Sequence, residues 1–185
     1  MIDVNQLRKG TTFTLNDELY KVLTYKHHKP GRGKAPIRTS VRNLRTGAVT
    51  DMTFTSGDRV EDIRVESVDV EYLYDDGEFV HFMDLETFEQ PQLPKDLFGA
   101  DMQYLKEGMH LALSKYGSEI IDYVLPLNVE QEVVESEPAV AGDTANSPTK
   151  KVTTETGLEV TVPLFVNVGD VIRIKTEDST YITRV

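Results

Sequence analysis

The sequence predicts an all-β protein built from three consecutive small β-barrels. Apolar and polar residues alternate over short runs, as in strands with one buried face, and turns containing Gly, Asp or Asn interrupt these runs at short intervals. Convincing helical spacing is confined to residues 97–107. A hydrophobic fraction of 39% in 185 residues suits several modest cores better than one large core. We therefore expect domains at residues 1–64, 65–127 and 128–185.

The first domain carries the strand and turn signals of one small barrel. Residues 2–10 predict a short turn or helical segment that leads into a strand at residues 12–15, and Asn16 and Asp17 mark a turn. The further predicted strands are residues 19–25, 37–42 and 48–54. About five short strands in about 60 residues favour a barrel.

The second domain repeats this pattern with one helical interruption. Strand-like alternation runs from Ile63 to Tyr74, and the Asp-Asp-Gly sequence at residues 75–77 predicts a hairpin turn before a strand at residues 79–83. Pro91 and Pro94 end the strand pattern. A helix is predicted over residues 97–107, with Gly108 as its stop, followed by strands at residues 109–116 and 119–125.

The third domain is also predicted to be all-strand, with a long loop at residues 137–151. Loops of this length are either mobile or functional. Its predicted strands begin near Val129 and continue at residues 152–154, 158–165, 171–175 and 181–185.

Positive charge is concentrated in one segment of a strongly acidic protein. Residues 26–45 contain seven Lys or Arg and no Asp or Glu, whereas the whole chain has a formal net charge of −11. Residues 1–64 hold 12 basic and 7 acidic residues, a net of +5, and the remaining residues hold 8 and 24, a net of −16. Any contact with nucleic acid is therefore expected to be led by the first domain.

The centre of this segment predicts an exposed hairpin tip. Gly31 and Gly33 flank Arg32, and glycine can adopt backbone angles closed to other residues. Arg32 could bind phosphate oxygens bidentately, and Lys29 and Lys34 would add point charges beside it. The alternative is a basic hairpin that only keeps the surface solvated.

The residues give little support for an enzyme. Cysteine is absent, which excludes disulfides and thiolate metal sites, and the four histidines have no metal-ligand spacing. We find no nucleophile elbow and no phosphate-binding glycine loop. We therefore predict no catalytic residues, no metal and no cofactor, although a small hydrolase with an unrecognised site stays an alternative.

The aromatic residues of the second domain are interpreted as core. They could stack on bases in an open groove, but aromatics at strand spacing more often pack inside, and the acidic residues around them disfavour phosphate. The set comprises Tyr72, Tyr74, Phe79, Phe82 and Phe88.

No segment has the length or composition of a signal peptide or membrane helix. We expect a soluble cytoplasmic protein without membrane contact.

Several ordered motifs resemble bacterial translation elongation factor P. Lys-Pro-Gly-Arg-Gly at residues 29–33 is followed by Arg38-Thr39, and the similarity continues through most of the chain. The other matching motifs are Asn-Leu-Arg-Thr-Gly-Ala-Val at 43–49, Thr53-Phe54, Tyr-Leu-Tyr-Asp-Asp-Gly-Glu-Phe at 72–79, Phe-Met-Asp-Leu-Glu-Thr-Phe-Glu-Gln at 82–90, Gly-Asp-Thr at 142–144 and Val-Thr-Val-Pro-Leu-Phe-Val at 160–166.

The resemblance implies a fold and a mode of action. The fold would be an SH3-like, KOW-type first domain and two OB-fold domains in an elongated, L-shaped arrangement similar to tRNA. Such a factor binds the ribosome between the peptidyl and exit sites as a monomer, touches rRNA, ribosomal proteins and peptidyl-tRNA, and relieves stalling at consecutive prolines.

The resemblance also assigns roles to two loops. Arg32 would be the tip nearest the peptidyl transferase centre, with Lys29, Pro30, Gly31, Gly33 and Lys34 shaping its approach. Gly142, Asp143 and Thr144 would form the third-domain loop that faces the small subunit and mRNA.

The tip departs from the best-known family pattern. Many members have a lysine there that receives a β-lysyl group, a modification that Arg32 cannot undergo. Other members carry arginine, rhamnosylated in some lineages, but with Asn after it where this chain has Gly33. An arginine-modifying enzyme would be a further partner if Arg32 is rhamnosylated. A closely related elongation-factor-P-like paralogue and a general RNA-binding β module remain alternatives.

Overall fold

A computed structural model describes residues 1–27, 36–138 and 148–185 of the chain. These residues form three antiparallel sheets of short strands, in agreement with the predicted all-β class. The strands are β1 (Ile2–Asp3), β2 (Thr12–Leu15), β3 (Glu18–His27), β4 (Pro36–Asn43), β5 (Val49–Thr55), β6 (Arg59–Asp62), β7 (Glu66–Asp75), β8 (Phe79–Asp84), β9 (Gln92–Pro94), β10 (His110–Tyr116), β11 (Glu119–Val124), β12 (Asn128–Ser136), β13 (Thr149–Thr154), β14 (Glu159–Pro163), β15 (Val171–Lys175) and β16 (Tyr181–Arg184).

The first sheet has the strand order β1-β6-β2-β3-β4-β5. Asn16 and Asp17 both adopt positive φ angles, 53° and 62°, which gives the two-residue hairpin between β2 and β3 the twist that its strands require. The short strand β6 was not predicted, because Val60 is the only buried residue in it and the pattern around it is polar. The core of this barrel is formed by Val4, Leu7, Phe13, Val22, Ile37, Val41, Phe54 and Val60.

The second sheet has the order β11-β10-β7-β8-β9, with the predicted hairpin turn at Asp75–Gly77 between β7 and β8. Strand β9 corrects our prediction that Pro91 and Pro94 end the strand pattern. It pairs through Val80↔Leu93 and lies at the edge of the sheet, where a proline removes no ladder hydrogen bond. Leu93 is buried there.

The predicted helix at residues 97–107 is wrong in type and length. Two 3₁₀ helices, Lys95–Leu97 and Gly99–Tyr104, occupy this region, and Leu105 is already extended. The apolar spacing reflects real burial, since Leu97, Phe98 and Tyr104 are buried. Gly99, the first residue of the second 3₁₀ helix, has a φ of +50°, which lies outside the right-handed helical range and keeps the two short helices from joining into one α-helix.

The aromatic set predicted as core is divided by the structure. Tyr72 and Phe82 are buried, whereas Tyr74 is 52% exposed and Phe88 is 71% exposed. Tyr74 covers the ring of His81 at a centroid distance of 4.6 Å, and Phe88 lies in the turn after β8 with a φ of +60°. Alternation along the strand wrongly predicted that Tyr74 is buried on the same face as Tyr72, because the β7–β8 register shifts between these two residues.

The third sheet has the order β14-β13-β12-β15-β16. The predicted loop at residues 137–151 is shorter than expected, because β13 starts at Thr149 and the backbone N–H of Glu137 donates to the carbonyl of Lys151 at 3.0 Å. Among the described residues, the core contains nine from this barrel, and Tyr104 reaches into it from the second barrel.

The turn between β4 and β5 contacts the second barrel through Gly47. Its φ is +75°, and a Cβ added there would lie 3.3 Å from the carbonyl oxygen of Asp96. We expect Gly47→Ala to lower the free energy of unfolding by about 2 kcal/mol, from left-handed backbone strain plus this contact. Gly108→Ala is the matched control, because its φ is +78° and its added Cβ would meet no atom within 4 Å. Equal losses in urea unfolding would show that the Asp96 contact contributes nothing.

The Asp76 carboxylate stabilises the β7–β8 turn. Its Oδ1 accepts from the backbone N–H groups of Phe79 (2.7 Å) and Glu78 (2.9 Å), and its Oδ2 lies 2.7 Å from His81 Nε2. The bond from Phe79 and then the His81 contact lower the pKa of Asp76 to about 2. A lowered folded-state pKa means that the stabilisation is complete above the unfolded pKa and is lost as pH falls through about 2.

We therefore expect Asp76→Ala to lower the urea midpoint at pH 7, and the difference from the unmodified chain to shrink progressively as pH falls from 4 towards 2. Asp76→Asn keeps an oxygen that can accept both backbone hydrogen bonds. Its urea midpoint at pH 7 should therefore lie between those of Asp76→Ala and the unmodified chain. A difference that is independent of pH would contradict the assignment to the charged form.

Candidate functional site

The predicted functional hairpin is built on the pairing of β3 with β4. Their register runs from Tyr20↔Asn43 to His27↔Ile37, and β4 pairs on its other side with β5 as far as Pro36↔Thr55. Both strands are therefore held up to the point where the predicted tip begins. Six of the predicted site residues lie outside the described part of the chain: Lys29, Pro30, Gly31, Arg32, Gly33 and Lys34.

Packing beneath the hairpin makes its base rigid. Val22 of β3 and Ile37 and Val41 of β4 have no exposed surface, and Phe54 of β5 closes over them. Side chains alternate along these strands, so the same register that buries these residues turns their neighbours outward. The core of the first barrel thus fixes the direction of the hairpin relative to that barrel.

Two cations stand side by side on the outer face of the hairpin. Lys26 and Arg38 are directly opposite each other in the register and both are exposed. Like charges in this position repel, and neither side chain forms an ion pair with any residue that the structure describes. An anion bound near the pair would remove the repulsion, which makes this face suitable for phosphate groups.

Arg8 is a further cation at the hairpin, and no pattern in the sequence predicted its position there. Its guanidinium carbon lies 5.4 Å from the ring centroid of Tyr25, and its Nη1 donates to the carbonyls of Leu7 (2.6 Å) and Asn5 (2.9 Å). The stacking of a guanidinium on an aromatic face is favourable and holds the side chain in place. No local motif links residues 8 and 25, so only the fold could bring them together.

Other cations of the basic segment serve a different purpose. Alternation along residues 37–42 would expose Arg42 together with Arg38, but the Nη1 of Arg42 donates to the carbonyl of Leu97 in the second barrel at 2.5 Å. Arg45 binds Glu119 of the second barrel at 3.3 Å, a hydrogen bond that raises the pKa of Arg45. The described cations of the segment therefore fall into two groups: Lys26 and Arg38 are exposed, and Arg42 and Arg45 bind the second barrel.

The predicted third-domain loop is described only at its base. Gly142, Asp143 and Thr144 lie outside the described residues, between the ends of β12 and β13. The two strands pair through Ser136↔Val152, so the loop begins from a closed hairpin base.

Two of the described histidines each lie beside a carboxylate. His81 contacts Asp76, and His110 Nε2 lies 3.6 Å from Glu71, both as isolated pairs. Among residues 1–27, 36–138 and 148–185, no cluster of three or more His, Asp or Glu side chains could hold a metal ion. No helix in this part of the chain has the length and hydrophobicity needed to cross a membrane.

Comparison with protein-family models gives three matches in chain order. A model described as the KOW-like domain of elongation factor P (EF-P) matches residues 3–60, and one described as the EF-P OB domain matches residues 65–123. A third, described as the C-terminal part of elongation factor P, matches residues 129–184.

Similar solved structures include two translation factors. Eukaryotic translation initiation factor 5A from Methanococcus jannaschii is 20% identical, with 66% of this chain and 92% of that chain covered and a TM-score of 0.48. A translation initiation factor eIF-5A family protein from Naegleria fowleri is 18% identical, with 67% and 96% covered and a TM-score of 0.37.

Proposed function

Because this chain belongs to the elongation factor P family and is therefore a translation factor, we propose that it relieves ribosomes stalled at consecutive prolines. It binds between the peptidyl and exit sites, contacts peptidyl-tRNA and stimulates peptide-bond formation. The chain supplies no chemical group to the reaction, which the ribosomal RNA carries out.

The observation that carries this proposal is the exposed Lys26 and Arg38 pair at the end of a hairpin held rigidly by its own core. In the sequence, Lys29, Arg32 and Lys34 stand between Lys26 and Arg38, so residues 26–38 contain five cations and no acidic residue. Such a concentration of positive charge in a short segment suits an RNA cavity, where phosphates lie on several sides.

The mechanism follows from what limits the reaction. Proline is a poor partner for peptide-bond formation, because its ring fixes φ and its nitrogen is a secondary amine with little freedom to reach the attack geometry. A cationic loop that restrains the acceptor end of peptidyl-tRNA raises the fraction of time spent in that geometry. Such positioning can supply a large rate increase without any acid or base.

The remaining parts take supporting roles in this proposal. Gly142, Asp143 and Thr144 face the small subunit and mRNA, and the acidic second and third barrels, at residues 65–127 and 128–185, avoid further contact with RNA. The factor acts as a monomer, and a modifying enzyme acts on Arg32 if that arginine carries a sugar.

The test is reconstituted translation of a message that encodes consecutive prolines, with and without the protein. We expect the added protein to restore full-length product, and to leave a message with the prolines separated by alanines unaffected. Unchanged stalling, with protein purified from its native host so that any modification is retained, would contradict the proposal.

A binding experiment separates this function from that of a general RNA-binding module. A ribosomal factor should bind a tRNA-loaded ribosome in preference to free RNA, whereas a general module should bind free RNA with a steep dependence on salt. Tight, salt-sensitive binding to an unstructured RNA would favour the general module.

A further inference from the structure

The first barrel is joined to the second through an ion pair that is largely removed from water. Lys21 Nζ of β3 lies 2.5 Å from Asp122 Oδ2 of β11, with only 23% of the lysine and 5% of the aspartate side chain exposed. Arg42 of β4 reaches the carbonyl of Leu97 beside it. These contacts belong to the same two strands that lead to the functional tip.

The surrounding contact is apolar and close. Leu19 and Leu44 of the first barrel are buried in the core cluster of the second barrel rather than in their own. The surface pair Arg45–Glu119 lies at the edge of the same contact, with more than 40% of each side chain exposed. The ion pair is thus the buried polar element of a joint that is otherwise held by hydrophobic packing.

Stability alone is a poor explanation for this ion pair. Burying two charges costs free energy that their attraction often fails to recover, and apolar residues of similar size are commonly as stable. Within the described residues, Asp122 Oδ1 and Arg42 Nε also lack hydrogen-bond partners, so the polar contact is incompletely satisfied. Apolar packing tolerates small rotations, whereas a buried ion pair is satisfied in one arrangement only.

The Lys21–Asp122 pair lies at the base of the hairpin, so a small rotation of the first barrel against the second moves the far end of the hairpin by a larger distance. Six residue steps along β3 lead from Lys21 to His27, a length of about 20 Å at the usual rise of a strand. A rotation of about 10° at the joint would displace the end of the hairpin by about 3.5 Å over that length. Displacements of about 1 Å can cost a positioned reaction about 100-fold.

We propose that Lys21, Asp122 and Arg42 are positioning residues that set the direction of the basic hairpin relative to the rest of the molecule. The proposal rests on the proposed function for its activity readout. It assigns to these residues no contact with RNA.

The main test variant removes both charges together, as Lys21→Met with Asp122→Leu. Because the pair is replaced by apolar groups, the melting temperature should stay close to that of the unmodified chain. The maximal rate of relief of proline stalling should fall about tenfold, because the tip of the bound factor would occupy the productive position less often. The factor concentration that gives half of the maximal rate should change less. Arg42→Met leaves the ion pair in place. It should likewise lower the maximal rate more than it changes the concentration for half-maximal effect.

The control removes an ion pair from within one barrel. Arg173 and Glu130 pair at 2.6 Å between β15 and β12 of the third barrel. Arg173→Met with Glu130→Leu should leave the maximal rate and the hairpin direction unchanged. A purely structural role for Lys21 and Asp122 would predict that activity follows melting temperature in both double variants, which would overturn the proposal.

A second readout is independent of translation. The chain contains no cysteine, so spin labels can be attached at Thr50→Cys in the first barrel and Glu78→Cys in the second without background. We expect one narrow distance distribution in the otherwise unmodified chain and a broad one in the Lys21→Met, Asp122→Leu background. Equal distributions in the two backgrounds would refute the positioning role, whereas a factor that fails to relieve stalling but shows this broadening would refute only the proposed function.

Discussion

Replacing Arg32 with alanine is expected to lower the maximal rate of relief at consecutive prolines about 100-fold, a loss typical of removing one preorganised electrostatic contact. The strands beneath the tip are paired up to His27↔Ile37 and packed on a buried core, so the variant should fold normally. The change removes the guanidinium and leaves the support intact. The measurement is the rate of dipeptide or tripeptide formation with saturating factor.

Two further variants define what the arginine supplies. Arg59→Ala removes the same charge from the same barrel, at an exposed position in β6, and should retain nearly full activity. Arg32→Lys keeps the charge but loses the planar guanidinium and any sugar attached to it, so an intermediate rate is expected. Equal losses for Arg32→Ala and Arg59→Ala would mean that only the net charge of the barrel matters, and the assigned tip would be wrong.

The modification state of Arg32 is a separate variable in this experiment. Intact mass of the protein purified from its native host reports an added sugar directly. A comparison with unmodified protein from a heterologous host then separates the contribution of the arginine from that of the sugar.

The largest expected effect on stability is at Gln131, which is fully buried where the second and third barrels meet. Its Nε2 donates to the carbonyl of Gln103 at 2.9 Å, and its Oε1 accepts from the hydroxyls of Thr154 (2.6 Å) and Thr156 (2.9 Å). Gln131→Leu keeps the volume but removes partners from several buried groups. We expect the free energy of unfolding to fall by about 3 kcal/mol.

The control for this prediction is Gln92→Leu, an exposed position in β9, which should change stability by less than about 0.5 kcal/mol. Both variants are compared by urea unfolding at constant m-value. The double variant Gln131→Leu, Thr154→Val removes both members of one bond and should recover part of the loss. No recovery would mean that the cost arises from packing rather than from unsatisfied polar groups.

Local patterns predicted the fold class and most strands. The turn at Asn16 and Asp17, the hairpin at residues 75–77 and the strand β15 were all identified, because short-range turn chemistry and alternation determine them. The strands β1, β6 and β9 were missed. All three are short and lie where their partners, rather than their own side chains, determine the pairing.

The prediction of a helix at residues 97–107 was wrong for a related reason. Its apolar spacing was correctly interpreted as burial, but buried residues at three- to four-residue spacing fit 3₁₀ turns as well as an α-helix. The positive φ of Gly99 keeps the two 3₁₀ helices from joining into one α-helix, and a glycine in a sequence does not reveal which angle it adopts.

The basic segment shows what composition can and cannot reveal about a site. Its excess of positive charge was a correct indication that residues 26–45 are specialised. Composition could not distinguish Lys26 and Arg38, which face outward, from Arg42 and Arg45, which bind the second barrel. That distinction depends on where β4 crosses a neighbouring domain, which is a long-range property of the fold.

After a register shift at Leu23, the ladder between β3 and β4 runs without interruption from Thr24↔Ser40 to His27↔Ile37, so this end of the hairpin lengthens in steps of one residue pair. Inserting one residue in each strand beyond His27 and before Pro36 would turn the side chains of the tip to the opposite face of the ribbon. Inserting two in each strand would restore their facing and extend the reach by about 7 Å. Relatives whose substrates lie at a different depth could therefore adjust reach in pairs of residues while the barrel beneath stays unchanged.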